Sequence, residues 1–210
     1  MLKRFLCVLA LGFLAAGGSA HAAQQFEEGV AYTVLKTAIP TDDPGRVEVV
    51  EFFWYGCPHC YEFDPYLEKW VKTLPKDVVF KRIPAPLNNV WGIAARVYYT
   101  LQSIGEGEKL HTQLFDAIHR DGLRLTNERA LLEWLGKHGV DTKKFSAAYR
   151  SFAVESQLKR AKQISEESGI EGVPALMVNG KYIVPGQAAE RMLAIADSLI
   201  AQSRKEIAKK

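Results

Sequence analysis

The sequence predicts an α/β fold, with one α/β domain interrupted by an inserted α-helical domain. Three observations predict it. A strand–helix–strand pattern runs from Arg46 to Pro84. Between Leu87 and about Ser168 helical stripes follow one another with no strand signal. The strand signal then returns in VPALMV and KYIV, and a last amphipathic helix follows.

Each element has its reason. RVEVVEFFW, Arg46 to Trp54, is a nearly continuous β-branched and aromatic run, as expected of a central strand buried on both faces. After Cys57 the period changes: Phe63, Tyr66, Leu67, Trp70, Val71 and Leu74 share one helical face. Pro58 suits a first helical turn, whereas Pro65 removes one hydrogen bond from the helix interior. DVVFKRIP, Asp77 to Pro84, reads as a second strand, parallel to the first across a helical crossover. Four helices and a longer fifth follow. Val90, Ala94, Val97, Tyr98 and Leu101 mark the first, and Leu110, Leu114 and Ile118 the second. Thr126 is the expected cap of the third, which carries Leu131, Leu132 and Leu135. Asp141 caps the fourth, and Phe152 to Ser168 forms the fifth, ended by Gly169. Val173 to Val178 and Lys181 to Val184 are strands joined by Asn179-Gly180, a strong hairpin signal. Met192, Leu193, Ala196, Leu199 and Ile200 place the final helix.

The first 22 residues read as a secretory signal peptide. Lys3 and Arg4 precede an apolar run from Phe5 to Ala16, small residues follow, and Ala20-His21-Ala22 forms an A-x-A site. The run is too short for a bilayer span, which takes about 20 helical residues. Cleavage after Ala22 removes Cys7, Lys3 and Arg4, so the formal net charge falls from +3 to +1. Such a balance argues against nucleic acid as a partner. No later segment is long and apolar enough to span a membrane, so the mature chain is expected to be soluble and exported.

Export makes the remaining cysteines informative. Cys57 and Cys60 stand in FFWYGCPHCYEF as a C-x-x-C pair. Exported proteins usually keep cysteines in permanent bridges. A loop this small restrains little of the unfolded chain, so a structural staple is a poor explanation. Zinc is excluded on ligand count: a structural site takes four ligands, and there is no second pair. His111, His119 and His138 fall on predicted helices and are expected at the surface. Redox exchange remains. Cys57 precedes a helix, where free N–H groups and the helix dipole favour a thiolate. His59 can hydrogen-bond the Cys57 sulfur or place positive charge near it. Pro58 sets the first turn. Cys60, one turn on, faces the helix body. Cys57 is therefore expected to exchange and Cys60 to resolve.

EFFWYGCPHC, GVPALMVNGKY, the signal peptide and the intervening helices together resemble the DsbA family of periplasmic thiol–disulfide oxidants, which have a thioredoxin fold with an inserted helical domain. The resemblance implies a signal peptide over 1–22, a thioredoxin-like domain over 23–86 and 169–210, and a helical insertion over 87–168. It implies no cofactor beyond the redox-active Cys57–Cys60 disulfide. In that family the exchanging thiol has a pKa of about 3.5 against about 8.5 for free cysteine, some 7 kcal/mol in favour of the thiolate. Val173-Pro174 matches the family's cis-proline loop, which faces the cysteine pair and receives an extended substrate. Glu51 matches a buried family acid whose partner is a lysine on the next strand. Here Arg82 occupies that place, with Lys81 beside it. Arginine holds its proton more firmly, which questions proton shuttling by the basic member but leaves Glu51 able to exchange a proton with Cys60. The implied partners are reduced exported proteins and a DsbB-like membrane oxidase linked to quinone, docking over Cys57 and Val173-Pro174. Family isomerases carry an extra N-terminal dimerisation domain. Residues 23–45 are too few for one, so a monomeric oxidase is expected. A peptide-binding chaperone would leave the cysteines idle.

Overall fold

A computed structural model describes residues 26–209. The signal-peptide reading of residues 1–22, with Cys7, lies outside the described residues. In chain order the elements are β1 (Thr33–Val34), β2 (Val47–Phe53), α1 (Pro58–Val71) and β3 (Val78–Pro84). Five helices follow: α2 (Asn89–Ser103), α3 (Gly107–His119), α4 (Glu128–Lys137), α5 (Thr142–Tyr149) and α6 (Phe152–Glu167). The chain closes with β4 (Ala175–Val178), β5 (Tyr182–Val184) and α7 (Ala189–Ile207).

The strands form one sheet in the order β1-β5-β4-β2-β3. β2 and β3 are parallel, and the other neighbours are antiparallel. All seven residues of β2 are buried, as a strand covered on both faces requires. Val47 and Val49 point into a core with Phe63, Leu67 and Trp70 of α1 and Met192, Ile195 and Leu199 of α7. Val50 and Phe52 point the other way, towards Met177, Ile183 and Ile170. β1 was not predicted. It is two residues long, and such a segment has no period to read.

The helices between β3 and β4 have their own core, built on Val97, Leu101, Leu110, Leu114, Phe115, Leu135 and Phe145. This core is continuous with the end of β2 and the start of α1, because Phe53, Tyr55, Cys57 and Cys60 belong to it. The cysteine pair thus lies where the sheet meets the helical block. One cap differs from expectation: Asn127, not Thr126, caps α4 through a bond from the Ala130 N–H. Asp141 caps α5 as predicted. The Asn179-Gly180 turn has positive φ at both residues, 53° and 62°, the geometry of a tight hairpin.

Candidate active site

β2 ends at Phe53, and Trp54, Tyr55 and Gly56 turn the chain into α1. Cys57 is the N-cap, with extended backbone (φ −86°, ψ 117°) and no side-chain cap of the helix. Its N–H donates to the Trp54 carbonyl at 2.9 Å. Gly56 is required by close packing: a Cβ there would stand 2.3 Å from the Trp54 ring. That ring is stacked on Trp91 of α2, 4.7 Å between centroids and 12° between planes.

Cys57 and Cys60 are unbridged in this structure. Cys60 is fully buried, whereas Cys57 keeps 7% of its surface. The Cys57 thiol is lowered from 9.0 to about 6. The largest cause is a hydrogen bond from Cys60, with burial opposing it. The backbone N–H groups of Cys60 and His59 and the charge of His59 add to the lowering. Burial and the neighbouring Cys57 sulfur drive Cys60 the other way, so it stays a thiol across the physiological range. A protonated Cys57 donates to the Val173 carbonyl at 3.4 Å, which brings the loop before β4 against the first sulfur. The strand begins two residues later, at Ala175, after Pro174, which has no N–H to give to the ladder. The Val173–Pro174 peptide bond is cis.

His59 departs from one of its two expected roles. Its ring is 78% exposed and lies towards Glu62, 3.3 Å from Oε2. Its backbone N–H and the charge of its ring, rather than a ring hydrogen bond, favour the Cys57 thiolate. A groove of about 1230 Å³ runs from His59 past Tyr66, Val173 and Pro174 to Pro185 and Glu190.

Beneath the cysteines lies a buried charge cluster. Glu51, in the middle of β2, is 1% exposed, and Arg82 stands directly beside it in register on β3. Arg82 Nε donates to Glu51 Oε2 at 3.0 Å. Arg82 also bonds Glu68 and lies 4.0 Å from Asp64 and 4.0 Å from Glu108. Burial raises Glu51 from 4.5 to about 7, against the attraction of Arg82 and with the repulsion of Asp64 added. Arg82 remains charged, because its carboxylates outweigh its desolvation.

Two histidines near this cluster depart from expectation. His111 was placed at the surface; it is buried, 3% exposed, with Nδ1 3.0 Å from the Tyr55 hydroxyl and Nε2 3.4 Å from Asp64 Oδ1. His119 is half-buried, stacked on Tyr61 at 4.8 Å and 2.8 Å from the Tyr55 carbonyl. The signal was available for His111 alone: it sits on the same apolar stripe of α3 as Leu110, Leu114 and Phe115.

The comparisons agree on one family. Residues 92–196 match a family model described as DSBA-like thioredoxin domain. The chain is 44% identical over 179 residues to the thiol:disulfide interchange protein DsbA of Azotobacter vinelandii, covering 84% of each chain. It is 38% identical over 190 residues to DsbA of Pseudomonas aeruginosa, covering 89% of this chain and 90% of that one. The crystal structure of Pseudomonas aeruginosa DsbA superposes with a TM-score of 0.83, over 88% of this chain and 97% of that chain. The oxidoreductase NmDsbA1 of Neisseria meningitidis, 31% identical, does so at 0.76 over 86% and 95%. The sheet order, the helical insertion, the Cys57–Cys60 pair at a helix start and these relatives together establish that the chain belongs to the DsbA family of thiol:disulfide interchange proteins, thioredoxin-fold oxidoreductases that form disulfide bonds.

Proposed function

We propose that this oxidoreductase acts as a strong oxidant, with Cys57 as the exchanging sulfur and Cys60 as the resolving one. The observation that carries the reading is the Cys57 sulfur at the N-cap of α1, where the Cys60 thiol and the backbone N–H groups of His59 and Cys60 favour its charged form. With a pKa of about 6, roughly nine in ten Cys57 sulfurs are thiolates at pH 7, against about one in a hundred at 9.0. A stabilised thiolate favours the reduced form, so the Cys57–Cys60 disulfide gives itself up readily.

The exchange balances as follows. A substrate thiolate attacks the Cys57 sulfur of the disulfide. The S–S bond breaks, its electron pair goes to Cys60, and a mixed disulfide with Cys57 forms. Cys60 holds a proton tightly, and Glu51, near half-protonation at pH 7, supplies it. A second substrate thiolate then attacks the substrate sulfur of the mixed disulfide, and Cys57 leaves as a thiolate. The substrate loses two electrons and the protein gains them. No bound cofactor takes part, because the disulfide is the redox centre.

Val173 and Pro174 hold an extended substrate segment beside Cys57, and Pro58 and His59 shape the first turn that carries the charge. The thioredoxin-like domain comprises residues 23–86 and 169–210, and the helical domain residues 87–168. The signal sequence over 1–22 directs the chain to the periplasm. There, as a monomer, it oxidises reduced exported proteins and is reoxidised by a DsbB-like membrane protein linked to quinone.

The test is a pH titration of thiolate ultraviolet absorbance in the reduced protein, with an equilibrium against glutathione. A midpoint near 6 and a bridge reduced more readily than thioredoxin's are expected. A midpoint near that of free cysteine, with a bridge that resists reduction, overturns the oxidant reading.

A further inference from the structure

The mechanism above leaves one buried acid on the active-site helix unused. Asp64 lies one turn after Cys60 on α1, with its side chain 2% exposed. Thr112 of α3 donates to its Oδ2 at 2.9 Å. Its Oδ1 makes no full hydrogen bond. It faces His111 Nε2 at 3.4 Å and Arg82 Nη2 at 4.0 Å. Burial lowers the proton affinity of His111, so the ring is neutral. The Tyr55 hydroxyl, whose proton burial retains, pairs with Nδ1 at 3.0 Å, whereas Nε2 makes no hydrogen bond of its own. Although burial opposes ionisation of Asp64, the contacts from His111, Thr112 and Arg82 outweigh it and hold it as a carboxylate.

Arg82 is therefore one fixed positive charge shared among acids. Glu51 on β2, Asp64 and Glu68 on α1 and Glu108 on α3 all face it, Tyr98 of α2 lies over its carbonyl, and Cys60 and Tyr55 close the cluster. Of the acids around Arg82, Glu51 and Asp64 are the two that are fully buried, so one guanidinium serves two carboxylates shielded from solvent. Two like charges in such a site cannot both be held equally well.

The geometry points to Asp64 as a positioning residue of the disulfide exchange: held by Thr112 and packed against His111, it competes with Glu51 for Arg82 and so makes Glu51 the proton donor to Cys60. This rests on the reading of Glu51 as that donor. The consequence is chemical. A carboxyl whose cation is partly engaged elsewhere keeps a proton to give when the Cys57–Cys60 bond opens. A carboxyl that meets more of the Arg82 charge keeps less of that proton at neutral pH.

The experiment uses the oxidised full-length protein and a cysteine-containing peptide. The rate of bridge opening is followed by acid quench and alkylation, and expressed per substrate thiolate across pH. In the wild type this constant falls as pH rises past the point where Glu51 loses its proton. Asp64→Asn, isosteric and uncharged, is expected to move that fall to lower pH by roughly one unit. Glu51→Gln is expected to abolish the fall, and adding Asp64→Asn to it to produce no further change in profile. Asp64→Ser serves the same purpose should the asparagine variant not fold. A fall that stays in place in Asp64→Asn while Glu51→Gln removes it overturns the competition. A fall that survives Glu51→Gln overturns the donor reading beneath it as well.

Discussion

Arg82 Nε donates to Glu51 Oε2 at 3.0 Å, across a register in which the two residues stand side by side on parallel strands. The pair is buried at both ends, 6% and 1% exposed. Buried ions recover their desolvation only when well paired, and Glu51 recovers it incompletely, since its proton affinity is raised to about 7. A raised carboxyl contributes stability that is complete below its unfolded value, 4.5, and is lost as pH climbs through about 7. Glu51→Gln removes that loss. Relative to wild type, the variant is expected to gain on the order of 2–3 kcal/mol on going from about pH 5 to about pH 8. Urea unfolding of the reduced proteins at the two pH values checks this. A wild type and variant that change in parallel contradict it.

Arg82→Met takes away the cation and keeps much of the volume. Glu51 and Asp64 then lack their shared positive charge, and breaking a buried pair in this way costs about 3–5 kcal/mol. The loss is expected in full near pH 8, where both acids are ionised. It shrinks near pH 5, where Glu51 is protonated. Thermal unfolding at both values tests this. An equal loss at the two pH values means that Arg82 acts through packing, including its contact with the Phe80 ring.

The Cys57 thiol lies at about 6 in the folded reduced protein and at 9.0 ordinarily, lowered above all by the bond from Cys60. A depressed value contributes stability that is complete above about 9 and lost as pH falls through about 6. The bridged form has no such group. The stability of the reduced form relative to the oxidised form is therefore expected to grow as pH rises from about 6 to about 9. Parallel denaturation of both forms across that window measures it. A difference that does not change with pH means that the thiolate does not set the relative stability of the two forms.

The regular part of the fold was legible because its signals are local. A continuous apolar run marked β2, Asn179-Gly180 marked the β4–β5 hairpin, and Gly169, at φ 63°, marked the end of α6. The pair Cys57 and Cys60 and the acid Glu51 stood out as departures from local pattern. What stayed hidden depends on distance in the chain. His111 finds its partners Tyr55 and Asp64 on other elements, so its polar character read as exposure. The ring of His59 could not be placed either, because a sequence specifies a side chain but not its rotamer. Thr126 and Asn127 are both cap residues, and a one-residue choice between them lies below the resolution of propensity.

Gly56 connects this local geometry to the redox site. It has no room for a Cβ, which would lie 2.3 Å from Trp54 Cζ2 and 2.7 Å from two further ring atoms. The Trp54 ring cannot yield freely, because it is stacked on Trp91. Gly56→Ala must displace one of three things: the Trp54 ring, the Trp91 contact that ties the end of β2 to α2, or the backbone that presents Cys57 to the start of α1. Overpacking of this kind costs about 1–3 kcal/mol. The variant is expected to unfold at lower temperature and to show altered tryptophan fluorescence. Its Cys57 thiol is expected to move up from about 6 if the turn shifts, because the sulfur then loses alignment with the N–H groups of His59 and Cys60. Fluorescence spectra and the thiolate titration distinguish the two responses. Changed fluorescence with an unmoved thiol means that the rings gave way and the turn held. A stable variant with both readouts unchanged means that the ring and Gly56 do not constrain each other.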